Sequence, residues 1–286
     1  MNKKVSTLHN FNLNSNNNFN LNLEKIYYIN LDYRVDRRKH METMLLTLLS
    51  KLSFGHNKIN KYERFSAFKP NLNDFNNKNT FENFFINKYG VKNNIKNVKV
   101  KNELLGIIGC LGSYIQLLEK ISKSLLDKTK SDKYIIILED DAYITNDTIL
   151  IIEKLFNSEN TQFKKLDVDI LRINPTYFNN AIKFRAVSQI KTIPNLFKIT
   201  KNTYYCGGTH INVIPVNKIN KILNYLKKSQ VMPIDSLFSF NYINSFFYII
   251  ENEKSLYEPL QLLYDIPKEN KPHHKQLLNF SYNKFR

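Results

Sequence analysis

The 286-residue sequence has no tryptophan, two cysteines and far fewer acids than bases. Cys110 and Cys206 cannot make a disulfide framework, and no C-x-x-C spacing exists to suggest a zinc site. Both sit in apolar or glycine-rich company and read as reduced core residues. No stretch approaches the ~20 apolar residues of a membrane-spanning helix. The N-terminus is polar, without the apolar centre of a secretory signal, so the chain reads as cytoplasmic. No G-x-G-x-x-G and no Walker pattern occurs, which sets aside a dinucleotide site and a P-loop. The shortage of acids, 25 against 42 Lys and Arg, gives a formal net charge of +17. Such a surplus suits nucleic acid, an anionic membrane surface or a phosphate-bearing substrate. The lysines are spread along the chain, and no recognition helix, RNA-binding aromatic motif or zinc pattern accompanies them. Nucleic acid is therefore not an expected partner.

What is present fits a globular chain, with 42% hydrophobic and 13% aromatic residues. The length can bury one large α/β core. Residues 1–22 are Asn-rich and of low complexity and read as a loosely attached arm. Residues 23–286 read as one domain. Its centre is Tyr134 to Ala142, where five uncharged β-branched, aromatic or leucine residues run into Glu139, Asp140 and Asp141. A buried strand ending in adjacent acids puts negative charge at the carboxyl edge of a sheet, where open α/β folds bind ligands. Packed carboxylates repel, and a hard cation such as Mn²⁺ or Mg²⁺ relieves the repulsion with oxygen ligands. The alternative is a solvated acidic turn that only caps a core strand. Both readings stand open on this stretch alone.

Upstream, Ile26 to Leu31 read as the first strand, ending in Asn30 and Asp32. A charged turn with Arg34, Arg37 and Arg38 follows, then a helix with Met41, Met44, Leu45, Leu48, Leu49 and Leu52 on one face. Guanidinium matches phosphate geometry, so these arginines could pair with a pyrophosphate. Solvated first-turn arginines are the alternative. A short strand is expected near Tyr62 to Phe65. From Glu103 an amphipathic helix carries Ile108, Leu111, Ile115, Leu118, Ile121 and Leu125. Its glycines at 106, 109 and 112 cost helix stability and suit tight packing or close approach to a ligand. Asn146 or Asp147 is a candidate cap for a short helix with Ile149, Ile152, Leu155 and Phe156. Asp167 to Ile173 read as a strand, Phe184 to Thr200 as two, Thr209 to Ile214 as another, Val216 to Leu226 as a helix, and Phe246 to Ile250 as a late strand. Pro233-Ile234-Asp235-Ser236 starts a helix in which Asp235 is either the N-terminal cap or a carboxylate facing the acids.

Ile29-Asn30-Leu31-Asp32 with Arg37-Arg38, Gly106 to Ser113, Leu138 to Ala142, Tyr205 to Ile211 and Pro233-Ile234-Asp235 occur in the order and rough spacing of glycosyltransferase family 25, which the chain resembles over about residues 25–262. That family includes lipooligosaccharide glycosyltransferases and procollagen hydroxylysine galactosyltransferases. The resemblance implies an α/β fold of the GT-A type, a Rossmann-like mixed sheet flanked by helices. It implies inverting transfer of galactose or glucose from a UDP-sugar to a glycan or hydroxylysine hydroxyl. Asp141 is the first choice for the metal ligand, with Glu139 and Asp140 on the metal or the ribose. Asn30 and Asp32 would contact the nucleoside, and Arg37 and Arg38 the diphosphate. Asp235 is the candidate general base. His273 or His274 could supply a third metal ligand, the alternative being that both are solvated tail residues. The family usually has Ser-His where this chain has Ser113-Tyr114, which keeps a second reading in view: a weakly catalytic relative that binds carbohydrate or acts as a scaffold.

Overall fold

The computed structural model describes residues 22–51, 61–70, 102–125, 132–156, 161–175, 186–201, 208, 210–229, 231–240 and 242–250. Leu52, Cys206 and the pair His273 and His274 lie outside the described residues, as does the Asn-rich arm up to residue 21. In chain order the elements are β1 (Leu23–Asn30), α1 (Val35–Lys51), β2 (Tyr62–Ser66), α2 (Asn102–Ser124), β3 (Tyr134–Glu139), α3 (Asn146–Phe156), α4 (Thr161–Lys164), β4 (Ile170–Ile173), β5 (Val187–Gln189), β6 (Leu196–Ile199), β7 (Ile211–Pro215), α5 (Ile219–Lys228), α6 (Ile234–Leu237) and β8 (Ser245–Tyr248). A 3₁₀ turn at Val216–Lys218 leads into α5.

Among the described residues the strands form one mixed sheet in the order β2-β1-β3-β7-β4-β8-β6-β5. β2, β1 and β3 are mutually parallel neighbours, and β7 runs antiparallel between β3 and β4. The period-2 alternation of β1 and β3 divides the core between two faces. Tyr27, Ile29, Ile135 and Ile137 point to one face, against Ile108, Leu111, Ile115, Leu118 and Ile121 of α2 and Ile219, Ile222 and Leu226 of α5. Ile26, Tyr28, Ile136 and Leu138 point to the other, against Met41, Leu45 and Leu48 of α1 and Ile149, Ile152 and Leu155 of α3. Because β1 and β3 are covered on both sides, they read as continuous apolar runs. Each of the fully buried α2 side chains contributes about 1.5–3 kcal/mol of transfer free energy.

Local chemistry explains where several elements begin. The cap of α3 is Thr145, not Asn146 or Asp147. Thr145 Oγ1 accepts from the Thr148 amide at 3.1 Å, and Thr148 Oγ1 accepts from the Thr145 amide at 3.3 Å, a reciprocal capping arrangement. α2 ends at Ser124, with Lys123 in its last turn. Gly109 and Gly112 sit against the segment after β2. A Cβ on Gly112 would lie 2.6 Å from Phe68 Cδ1, and one on Gly109 3.0 Å from the Phe68 carbonyl oxygen. The glycines therefore serve close packing. No described helix is long and apolar enough to cross a membrane.

Candidate functional site

The parallel strands deliver their carboxyl ends to one edge of the sheet. Asn30 ends β1 there and is buried. Glu139 ends β3, and its carbonyl accepts from the Ala142 amide at 2.9 Å. That turn makes Asp140 and Asp141 its central residues and turns their side chains in different directions. β7 starts at the same edge because it is antiparallel to β3, with Ile211 opposite Leu138. The residue before it, His210, accepts the Glu139 amide on its carbonyl at 3.1 Å. Two segments about seventy residues apart in sequence are thus joined by the sheet ladder.

Asp140 faces α1. Arg37 NH1 donates to Asp140 Oδ1 at 2.6 Å and lies 3.6 Å from Asp141 Oδ2. Asn30 Nδ2 donates to Asp140 Oδ2 at 2.9 Å. Arg37 belongs to the first turn of α1, a poor place for a cation by the helix dipole alone; the facing carboxylates account for it. Arg34 instead pairs with Asp36 at 2.8 Å.

Asp141 and Glu139 face β7. His210 Nδ1 is 2.8 Å from Asp141 Oδ1 and 3.5 Å from Glu139 Oε2. Ligand atoms of Glu139, Asp141 and His210 all lie within 4.8 Å of one another. Two ligands at right angles, each ~2.1 Å from an ion, are about 3 Å apart. The spacing and the donor set, two carboxylates and an imidazole, therefore suit one divalent cation. Burial pushes the Asp141 pKa up, but His210 and Arg37 hold it below its ordinary value. Burial pushes His210 down, while Asp141, Glu139 and Asp235 together hold it above the ordinary value. In the metal-free protein the His210–Asp141 contact is a charge-assisted one.

Asp235 stands in the first turn of α6, whose cap position is Pro233 with no side-chain cap bond. It is not the helix cap. Its Oδ1 accepts from the Ser236 amide at 2.8 Å and its Oδ2 from the Gly208 amide at 3.2 Å. Gly208 has φ 84°, a left-handed conformation that side chains disfavour. The carboxylate is close enough to act electrostatically on His210 and on the Cys110 thiol. Of the expected Tyr205 to Ile211 segment, Gly208, His210 and Ile211 are described.

Three residues of this edge, His210, Arg64 and Ser66, carried no site role in the sequence. A histidine just before a strand becomes visible only through strand pairing. Arg64 on β2 donates through Nε to Asn30 Oδ1 at 3.1 Å and through NH2 to Asp32 Oδ1 at 2.5 Å, and Ser66 Oγ donates to Asp32 Oδ2 at 2.8 Å. These bonds hold the Asp32 pKa below its ordinary value. Cys110 Sγ lies 3.8 Å from Glu139 Oε1, and burial, with Glu139, Asp235 and Asp141 nearby, pushes its thiol pKa well up. Tyr114 is fully buried, and its hydroxyl accepts from Asn212 Nδ2 at 2.7 Å.

A mixed sheet flanked by helices, with its acids gathered at the carboxyl edge, defines a Rossmann-like architecture of the GT-A glycosyltransferase type. The family described as Glycosyltransferase family 25 (LPS biosynthesis protein) matches residues 23–238, well over half of the chain. The chain belongs to glycosyltransferase family 25 and is a glycosyltransferase. No curated protein matches it.

Proposed function

We propose that the protein is a metal-dependent, inverting hexosyltransferase that moves galactose or glucose from a UDP-sugar to a hydroxyl of a glycan or hydroxylysine acceptor. The observation that carries this reading is the convergence of Glu139, Asp141 and His210 at the sheet edge. These three residues would hold Mn²⁺, or Mg²⁺ with poorer use of His210. A divalent ion there supplies positive charge where a departing diphosphate gathers negative charge.

The other roles belong to the chain itself. Asn30 and Asp32 would receive the nucleoside, with Arg64 and Ser66 fixing the Asp32 carboxylate. Arg37 holds Asp140 in place, and Arg37 and Arg38 add cationic charge on the diphosphate side. Inversion requires a base on the face of the sugar opposite the leaving group. Asp235 would accept the proton of the attacking hydroxyl. Two backbone amides occupy part of its roughly four lone-pair positions and leave room for an acceptor O–H.

The competing reading, a carbohydrate-binding relative with little catalysis, takes its motive from Tyr114. Tyr114 lies in the core with its hydroxyl on Asn212. The deciding experiment is release of UDP from UDP-galactose and UDP-glucose, with and without Mn²⁺. The expected result is Mn²⁺-dependent UDP release that Asp141→Ala abolishes without unfolding the protein. Parent-level release by folded Asp141→Ala would reject the site, and no release from either donor by the parent would favour the binding-protein reading.

A further inference from the structure

Arg172 is the largest fully buried side chain among the described residues. It comes from β4, in register with Asn212 of β7. Its guanidinium carbon lies 4.3 Å from the centre of the Phe247 ring. NH1 donates to the Asp235 carbonyl oxygen at 3.2 Å, and NH2 donates to Ser239 Oγ at 2.7 Å. Ser239 Oγ in turn donates to the same Asp235 carbonyl at 2.6 Å. The two ends of one rigid fork and the serine hydroxyl therefore close a ring around the Asp235 peptide. On the other side of that residue, the carboxylate is held by the Gly208 amide, two residues before His210.

Burying a guanidinium is costly, and a well-packed apolar side chain of similar length commonly serves stability as well or better. Stability alone therefore gives a poor account of an arginine here. The geometry points to Arg172 as the positioning residue for the proposed base: it fixes the main chain of Asp235, and with it the carboxylate that the Gly208 amide holds from the other side. This inference rests on the reading of Asp235 as the base. Arg172 is fully buried and acts through Asp235. Arginine is specific to the task because its planar fork reaches the carbonyl and the hydroxyl at once. A lysine ammonium is a point charge without that fixed planar geometry.

The test uses UDP release from UDP-galactose and UDP-glucose, with water taking the place of the acceptor hydroxyl, in four chains: the parent, Arg172→Met, Asp235→Asn and the double variant. Arg172→Lys is a fifth. UDP binding is followed in parallel by calorimetry, and folding by thermal unfolding. Arg172→Met is expected to fold with an unchanged or higher Tm and to bind UDP within about twofold of the parent. Its kcat is expected to fall about tenfold or more, with Arg172→Lys in between. In the Asp235→Asn background the same substitution is expected to change kcat less than twofold, because residues acting through one another are not additive. Parent-level kcat in folded Arg172→Met, or an equal loss in both backgrounds, would overturn the positioning role. Parent-level kcat in Asp235→Asn would overturn the base assignment itself and this inference with it. If Arg172→Met does not fold, Ser239→Ala removes the shared hydroxyl. It is expected to lower kcat severalfold in the parent background only, and parent-level kcat there would overturn the role.

Discussion

Asp141 meets His210 and Arg37 in one small space, and the two protonation equilibria there can be read separately. The folded His210 pKa lies above its ordinary 6.5, so its contribution to stability is fully present below about 6.5 and is lost as pH rises through the higher folded value. The folded Asp141 pKa lies below 3.8, so its contribution is present above about 3.8 and is lost as pH falls through the folded value. The pair therefore supports the chelated protein best between roughly pH 4 and 6.5 and less above. Chelated His210→Gln is expected to lack this decline, and Tm measured from pH 5.5 to 8.5 in both proteins checks it. A metal ion must displace the proton from this contact, so Mn²⁺ affinity of the parent is expected to rise across the same range. His210→Gln is expected to weaken that affinity roughly tenfold or more, read by calorimetry. At this scale the acids were legible because three adjacent carboxylates after an apolar run are visible in one dimension. His210 was not, because nothing near it in the chain indicates Glu139; its tie to them is a bond across β3 and β7. Asp140 shows the converse. It stands between two acids in sequence, yet its side chain turns to Arg37 and Asn30.

The three glycines of α2 give opposite expectations at the scale of an element. Glycine costs a helix interior about 0.5–1 kcal/mol relative to alanine. A Cβ on exposed Gly106 would meet nothing within 4 Å, so Gly106→Ala is expected to stabilise the protein by up to about 1 kcal/mol. A Cβ on Gly112 would stand 2.6 Å from the Phe68 ring, and the forced shift outweighs the gain in propensity. Gly112→Ala is expected to destabilise by about 1–3 kcal/mol. Urea denaturation of the two variants checks both signs. The α2 face was legible in the sequence from its spacing by three and four. Which glycines are needed was not, since only docking of the segment after β2 distinguishes 109 and 112 from 106. The cap of α3 was misread for a related reason. Asn146 and Asp147 are good cap types, but the chain turns one residue earlier and the Thr145–Thr148 pair fits there.

At the scale of the molecule, a ligand that binds only the folded state raises its melting temperature by mass action. Mn²⁺ and UDP together are expected to raise the Tm of the parent by several degrees and that of Asp141→Ala by little, a comparison available by thermal shift without any acceptor. The surplus of basic residues gave no indication of a partner by itself. Among the described residues several are engaged in pairs with acids, including Lys218 with Asp167, Lys227 with Glu119, and Arg37 with Asp140. The sequence alone determined the alternation of strands and helices, the apolar faces and the clustering of acids after β3, because those depend on neighbours three or four residues apart at most. Tertiary structure alone decided that His210 joins Glu139 and Asp141, that Arg64 reaches Asp32, and that Arg172 lies under Asp235. The first two meetings are set by which strands lie side by side and in which register, the third by where α6 packs on β4, and contacts over such separations leave no periodic trace in the chain.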